Sequence, residues 1–169
     1  QPPPSREELV AAMREGIAVL HRLGVTGIHD ARLMGGGDEW HDALDGWRQL
    51  HGDGRLNLRC WVTIPGESLD EAREMGKASG AGDDRLMTGH LKLFADGGMG
   101  ARTAWLLEPY RDGGCGLPQM DMDALQAIIT QAEAAGLAAM VHAVGDRTCR
   151  EILAVFDRIA KQRGKDGLP

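Results

Sequence analysis

Short apolar runs alternate with amphipathic helical repeats along the whole chain, and this alternation constrains the fold more than any other feature. Ser5 followed by Glu8 is a capping-box signature. Leu9, Met13, Ile17 and Leu20 then recur at helical spacing until Gly24. VTGIHD (25–30) is a short strand pattern, followed by a glycine-rich loop at Gly35, Gly36 and Gly37. Trp40, Ala43, Leu44, Trp47 and Leu50 define a second helix, and LNLRCWVTI (56–64) a second strand ended by Pro65. Ser68 is placed to cap a third helix reaching about Met75, and HLKLFAD (90–96) is the third strand. After a long irregular segment (97–120), Asp121 caps a helix carrying Leu125, Ile128, Ile129 and Ala132, which Gly136 stops. LAAMVHA (137–143) is the fourth strand, and Asp146 caps a last helix with Cys149, Ile152, Leu153, Phe156 and Ile159. Such alternation builds an α/β fold with a parallel sheet. Strands apolar on both sides are expected where both sheet faces are covered. Four strands in this order suit a doubly wound sheet or part of a (β/α)8 barrel. A whole barrel needs about 250 residues, so a chain of 169 would hold about half of one.

The bulk numbers exclude several functions. Hydrophobic residues make up 43% and charged residues 26%, an ordinary globular balance. The net charge of -6, with no basic block, argues against nucleic acid. No apolar run approaches the roughly 18 residues of a membrane helix. Cys60, Cys115 and Cys149 are odd in number, widely spaced and without a CxxC pair. That pattern favours free thiols in a reducing compartment over disulfides or a thiolate zinc site, so a cytoplasmic location is expected, with a leader on a longer parent left open. The chain opens on Gln1 and three prolines and closes on GKDGLP just after a helix, where an α/β chain would normally start its next strand. A piece of something longer is expected.

The segment LKLFADGGMGAR (91–102) places a lysine inside a strand. Alternation sends Leu91, Leu93 and Ala95 to one face and Lys92, Phe94 and Asp96 to the other. Lys92 is either an edge-strand lysine guarding a sheet edge or a cation facing a barrel interior, where an ammonium is costly unless paired or altered. His142, at the end of AMVHAVGD, is either a hydrogen-bonded structural residue or a metal ligand. Asp146 is an N-cap that could also orient His142. Gly97, Gly98 and Gly100 fit neither GxGxxG nor a phosphate loop, and mark a bend bringing backbone close to a ligand. Arg102 is a surface arginine or a clamp for a substrate carboxylate or carbonyl. His29-Asp30 is a capped turn or a site.

Together GVTGIHDA, LKLFADGGMGARTAWLLEPY and MVHAVGDRT resemble the YtcJ-like branch of the amidohydrolase superfamily, in the same order over nearly the whole chain. The resemblance implies a (β/α)8 barrel, of which this chain would supply strands two to five. It implies metal-dependent hydrolysis of amide-like or other C–N bonds in a small-molecule substrate. Relatives hold one or two divalent ions, zinc foremost, through a first-strand HxH, a fourth-strand lysine that is often a carbamate, histidines on strands five and six, and an aspartate on strand eight. Lys92 matches the lysine and His142 the fifth-strand histidine, with Asp146 behind it and Asp96 and Arg102 on the substrate side. No HxH occurs in this chain and no strand follows His142, so the resemblance implies an internal, catalytically inactive fragment covering 1–169. Its outer strands would expose two edges open to self-association. Two other readings stay open: a non-catalytic binding or regulatory module on the same fold, and an unrelated α/β enzyme using Asp96 and His142 for proton transfer.

Overall fold

Ser5 opens the first helix, α1 (Arg6–Arg22), through the reciprocal cap its sequence predicts: its hydroxyl accepts the Glu8 N–H at 3.3 Å while Glu8 accepts the Ser5 N–H at 2.8 Å. The computed structural model describes residues 4–31 and 39–163, so the loop at Gly35, Gly36 and Gly37 and both chain ends lie outside the described residues. The remaining elements follow as β1 (Gly27–Asp30), α2 (Glu39–Gly52), β2 (Arg59–Pro65), a 3-10 turn (Gly66–Ser68), α3 (Leu69–Glu74), β3 (Leu86–Phe94), α4 (Met122–Ala134), β4 (Ala139–His142) and α5 (Asp146–Arg163). Asp121 caps α4 as expected, accepting the N–H groups of Asp123 and Ala124. Ser68 precedes α3 without a side-chain cap. β3 starts at Leu86 rather than His90, because Arg85 already accepts the Cys60 N–H and Met87 bridges Gly82. It ends at Phe94, before Asp96.

The sheet order is β1-β2-β3-β4, with β1 and β2 parallel in the register Ile28↔Cys60 and Asp30↔Val62. Sequential order is what consecutive barrel strands require, whereas a doubly wound sheet reverses direction at a switch point. The class is therefore α/β, with helices between strands that run in chain order.

Two compact units divide the chain: 1–91 with 136–138, and 92–135 with 139–169. In the first, α1 packs on α2, and Trp40, Leu44 and Leu50 are buried in a core with Cys60, Val62 and Ile64 from β2. Burial, and then the charge of Asp30, push the Cys60 thiol up to about 12, so it packs as an inert hydrophobe. In the second unit α4 packs on α5, burying Leu125, Ile129, Ala132, Ile152, Val155 and Ile159.

β3 does not keep one alternation along its length. Leu86 and Thr88 line a cleft with Val62 and Leu44, whereas Met87 lines another with Trp61. His90 also meets Trp61, their ring centroids 6.2 Å apart. Strict period two would put Met87 and His90 on opposite faces. The strand therefore slips by one residue between Thr88 and His90, at the buried Gly89, in the manner of a β-bulge. A side chain at Gly89 would press on the Val62 carbonyl at 3.1 Å and on His29 Nε2 at 3.3 Å. Beyond the slip, Leu91 and Leu93 are buried while Lys92 and Phe94 are half-buried.

This alternation makes a measurable contrast. Leu91→Ala should cost about 2–5 kcal/mol in urea unfolding. Leu153→Ala on the open face of α5, where the side chain is 67% exposed, should stay within about 0.5 kcal/mol. Equal losses would contradict the assigned faces.

Candidate functional site

β3 and β4 bring Lys92, Phe94 and His142 together. Lys92 Nζ lies 4.7 Å from the Phe94 ring centroid, and the Phe94 and His142 rings are 5.1 Å apart. Two residues along a strand advance about 6.6 Å, so Lys92 begins one step before Phe94 and its long stem carries the nitrogen forward over that ring. Nothing in the sequence marks Phe94 as a contact of both Lys92 and His142. The contact requires the cross-strand register.

His142 is gripped by three consecutive residues. The Ala95 N–H donates to the His142 carbonyl at 3.0 Å, extending the β3–β4 ladder. Asp96 accepts the N–H groups of Val144 at 3.0 Å and Gly145 at 2.8 Å, the turn that follows His142. The Gly97 carbonyl lies 3.1 Å from His142 Nε2. A carbonyl only accepts, so Nε2 carries a proton, and in the neutral imidazole that leaves the lone pair on Nδ1. A Cβ at Gly97 would collide with the Thr103 hydroxyl, and one at Gly145 with the Trp105 carbonyl. Glycine is needed at both places for close approach.

Asp96 does not extend the face of Lys92. It is fully buried, past the strand end, and accepts four donors. Beyond Val144 and Gly145 these are the Trp105 N–H at 3.0 Å and the Thr148 hydroxyl at 2.6 Å. None of the four is the His142 ring. The carboxylate joins the end of β3, the 97–105 loop and the start of α5. Thr148 was not singled out from sequence. A threonine in the first turn of a helix carries no mark of its burial.

Asp146 also takes a different place from the one behind His142. It is the first residue of α5, and its Oδ1 accepts the N–H of Leu107 at 2.9 Å and of Arg147 at 2.8 Å. It anchors the irregular segment to the helix. Arg102 is exposed, with backbone φ of 56°, and its guanidinium pairs with Asp112. It lines an open cleft of about 600 Å³ with Thr103, Cys115 and Gln119. Among the described residues no hydrogen bond or ion pair joins it to Asp96 or His142.

In the first unit, Asp30 accepts the Trp47 indole N–H at 3.2 Å, and its carbonyl accepts the Thr63 hydroxyl at 2.8 Å. That is a structural turn. His29 is exposed, with its ring centroid 5.5 Å from that of His90. Burial, and then the charge of His29, lower the His90 pKa. Among the described residues, no group of three or more His, Cys, Asp or Glu side chains is arranged to hold a metal ion.

Burial by itself would raise the pKa of Asp96. Bonds from Thr148, Val144, Gly145 and Trp105 outweigh it and hold the carboxyl below its ordinary value. A carboxyl depressed on folding stabilises above the unfolded pKa of about 4, and that stabilisation is lost as pH falls through the lower folded value. Asp96→Asn should therefore cost about 1–3 kcal/mol at pH 7 and flatten the acid limb of the stability profile. A variant that keeps the wild-type slope below about pH 4 would show that Asp96 is not its source.

Comparison with known proteins places this geometry in a family. The whole chain, residues 1–169, matches the model of an amidohydrolase family. It is 29% identical over 166 residues to the putative amidohydrolase YtcJ of Bacillus subtilis (strain 168), covering 97% of this chain and 31% of that protein. It is 27% identical over 128 residues to the protein LONG AFTER FAR-RED 3 of Arabidopsis thaliana, covering 74% of this chain and 22% of that one. The fold is similar to crystal structures of uncharacterized metal-dependent hydrolases from Pyrococcus horikoshii OT3 and Pyrococcus furiosus. The TM-scores are 0.81 and 0.80, both at 29% identity, covering 92% of this chain and 31% and 32% of those chains. The chain thus spans about a third of the length of the B. subtilis relative, and by its full-length match it belongs to the amidohydrolase family.

Proposed function

We propose that this chain supplies the Lys92–His142 side of a metal-dependent hydrolase acting on amide-like or other C–N bonds. The observation that carries the reading is the orientation of His142: its Nε2–H is committed to the Gly97 carbonyl, so Nδ1 is left as a donor beside Phe94. A histidine held by one nitrogen and free at the other is how proteins prepare an imidazole ligand. Lys92 reaches the same Phe94 ring. The donor chemistry fits a divalent ion, with zinc the first choice for imidazole. Such an ion supplies Lewis acidity, activating water and polarising a carbonyl. The names of the two archaeal neighbours, both metal-dependent hydrolases, support the same class.

What the chain itself does is hold and orient. Lys92 brings a basic nitrogen to the end of β3, either as an ammonium or, after reaction with carbon dioxide, as a carbamate donor. Ala95, Asp96 and Gly97 fix the His142 backbone and ring. Arg102, with its partner Asp112, lines the adjoining cleft and can meet an anionic or carbonyl group of a substrate. Two donors make an incomplete set, and the others would come from the two thirds of the relatives' length that this chain does not cover. The reading therefore includes no turnover by this chain alone.

Zinc titrated into the chain by calorimetry should show no tight stoichiometric binding, and a nanomolar site would overturn the two-donor set. In a full-length protein carrying this sequence, Lys92→Met and His142→Ala should each abolish turnover of amide-like substrates while leaving the melting temperature near wild type. Retained turnover in either variant would instead favour a non-catalytic role for that residue.

Among the described residues the outer strands β1 and β4 each pair on one side only, and unpaired strand edges attract further strands. Sedimentation of the isolated chain should show concentration-dependent self-association through them. A single monomer boundary with cooperative melting would exclude it.

A further inference from the structure

The 95–97 segment and the turn after His142 meet through one carboxylate, and this arrangement does more than stabilise a fold. Asp96 Oδ1 accepts the Val144 N–H at 3.0 Å, while Oδ2 accepts Gly145 at 2.8 Å, Trp105 at 3.0 Å and the Thr148 hydroxyl at 2.6 Å. The two oxygens thus divide the work. Oδ2 gathers the loop, the helix and, through Gly145, the same turn. Oδ1 is reserved for the turn two residues beyond His142. From the other side, the residue next to Asp96 accepts the ring proton of His142.

We propose that Asp96 is a positioning residue for His142, acting through the Val144–Gly145 turn and in concert with the Gly97 carbonyl. The inference rests on the reading of His142 as a donor for what it would accomplish, but its geometry stands without a metal. Asp96 touches neither the ring nor the Phe94 face. It sets the backbone from which the ring projects, while Gly97 sets the ring's rotation. Because Asp96 and Gly97 are adjacent, backbone and ring are referred to one rigid point. Functional constellations need such support to within about 0.5 Å.

The two oxygens make the proposal separable from simple stability. Asparagine at 96 can keep its oxygen toward Trp105, Gly145 and Thr148, and must then turn its NH2 against the Val144 N–H. Thr148→Val instead removes a donor on the helix side and leaves both contacts to the turn.

In the full chain, NMR cross-peaks between the Phe94 and His142 rings report their separation without any metal. Asp96→Asn should weaken them about threefold, as a displacement of roughly 1 Å would. Thr148→Val should leave them unchanged even where it lowers the melting temperature. Unchanged cross-peaks in Asp96→Asn, or an equal loss in Thr148→Val, would overturn the proposal. If Asp96→Asn does not fold, hydrogen exchange on the wild-type chain decides: the Val144 and Gly145 amides should be slowed together by about 100-fold or more. Exchange of either at the rate of an open loop would overturn it. A failed metal titration, by contrast, would remove the metal reading and leave these ring distances as they are.

Discussion

A single buried carboxylate ties the second unit together. Asp96 receives donors from residues nine, 48, 49 and 52 positions further along the chain. The three backbone donors would be orphans if the side chain were removed, while the Thr148 hydroxyl would keep its 3.4 Å bond to the Trp105 carbonyl, and a buried unsatisfied donor costs about 1–3 kcal/mol. With all four present, the irregular 97–120 segment starts from a fixed point rather than from a free strand end. The loop then closes on itself: Gly97 donates to the Thr103 carbonyl at 3.2 Å, and Thr103 Oγ1 accepts the Gly98 N–H at 3.0 Å. Asp146 pins the next stretch through Leu107, and Arg147 covers the Trp105 ring at 4.6 Å. Much of what lies between β3 and α4 hangs from the two ends of this network.

The periodic parts of the chain were legible in its sequence because their causes are local. The Ser5 box, the Asp121 cap and the apolar faces of α1, α2 and α4 depend on residues within a turn or two of each other, whereas on α5 the expected Cys149, Leu153 and Phe156 are exposed and Thr148 and Val155 are buried with Ile152 and Ile159. The burial of Leu91 and Leu93 against the half-open Lys92 and Phe94 was legible for the same reason. What period two could not reveal was the slip at Gly89, since it exists only relative to β2. A glycine in a strand hints at a bulge.

Asp96 was misplaced for a related reason. Alternation was carried one residue too far, past Phe94 where the strand ends. Its true partners are long-range backbone amides, which look alike in any sequence. Asp146 was read as an N-cap with a second duty toward His142, and it serves Leu107 instead. The glycines were the better signal. Gly97 and Gly145 both sit where a Cβ would meet a neighbouring loop, and they flank Asp96 and His142 in the motifs that carried the family resemblance. Their spacing records a close approach of two backbones, the condition for the Asp96 bonds to form.

The contact between Lys92 and Phe94 bears on what form the lysine takes. The face of an aromatic ring is electron-rich and attracts an ammonium. An anionic carbamate in the same position would meet that face unfavourably and would lose the attraction. Conversion of Lys92 to a carbamate therefore requires compensating positive charge nearby, together with movement of the side-chain tip away from the ring. Of the two forms, the ammonium is the one that the Phe94 ring 4.7 Å away favours.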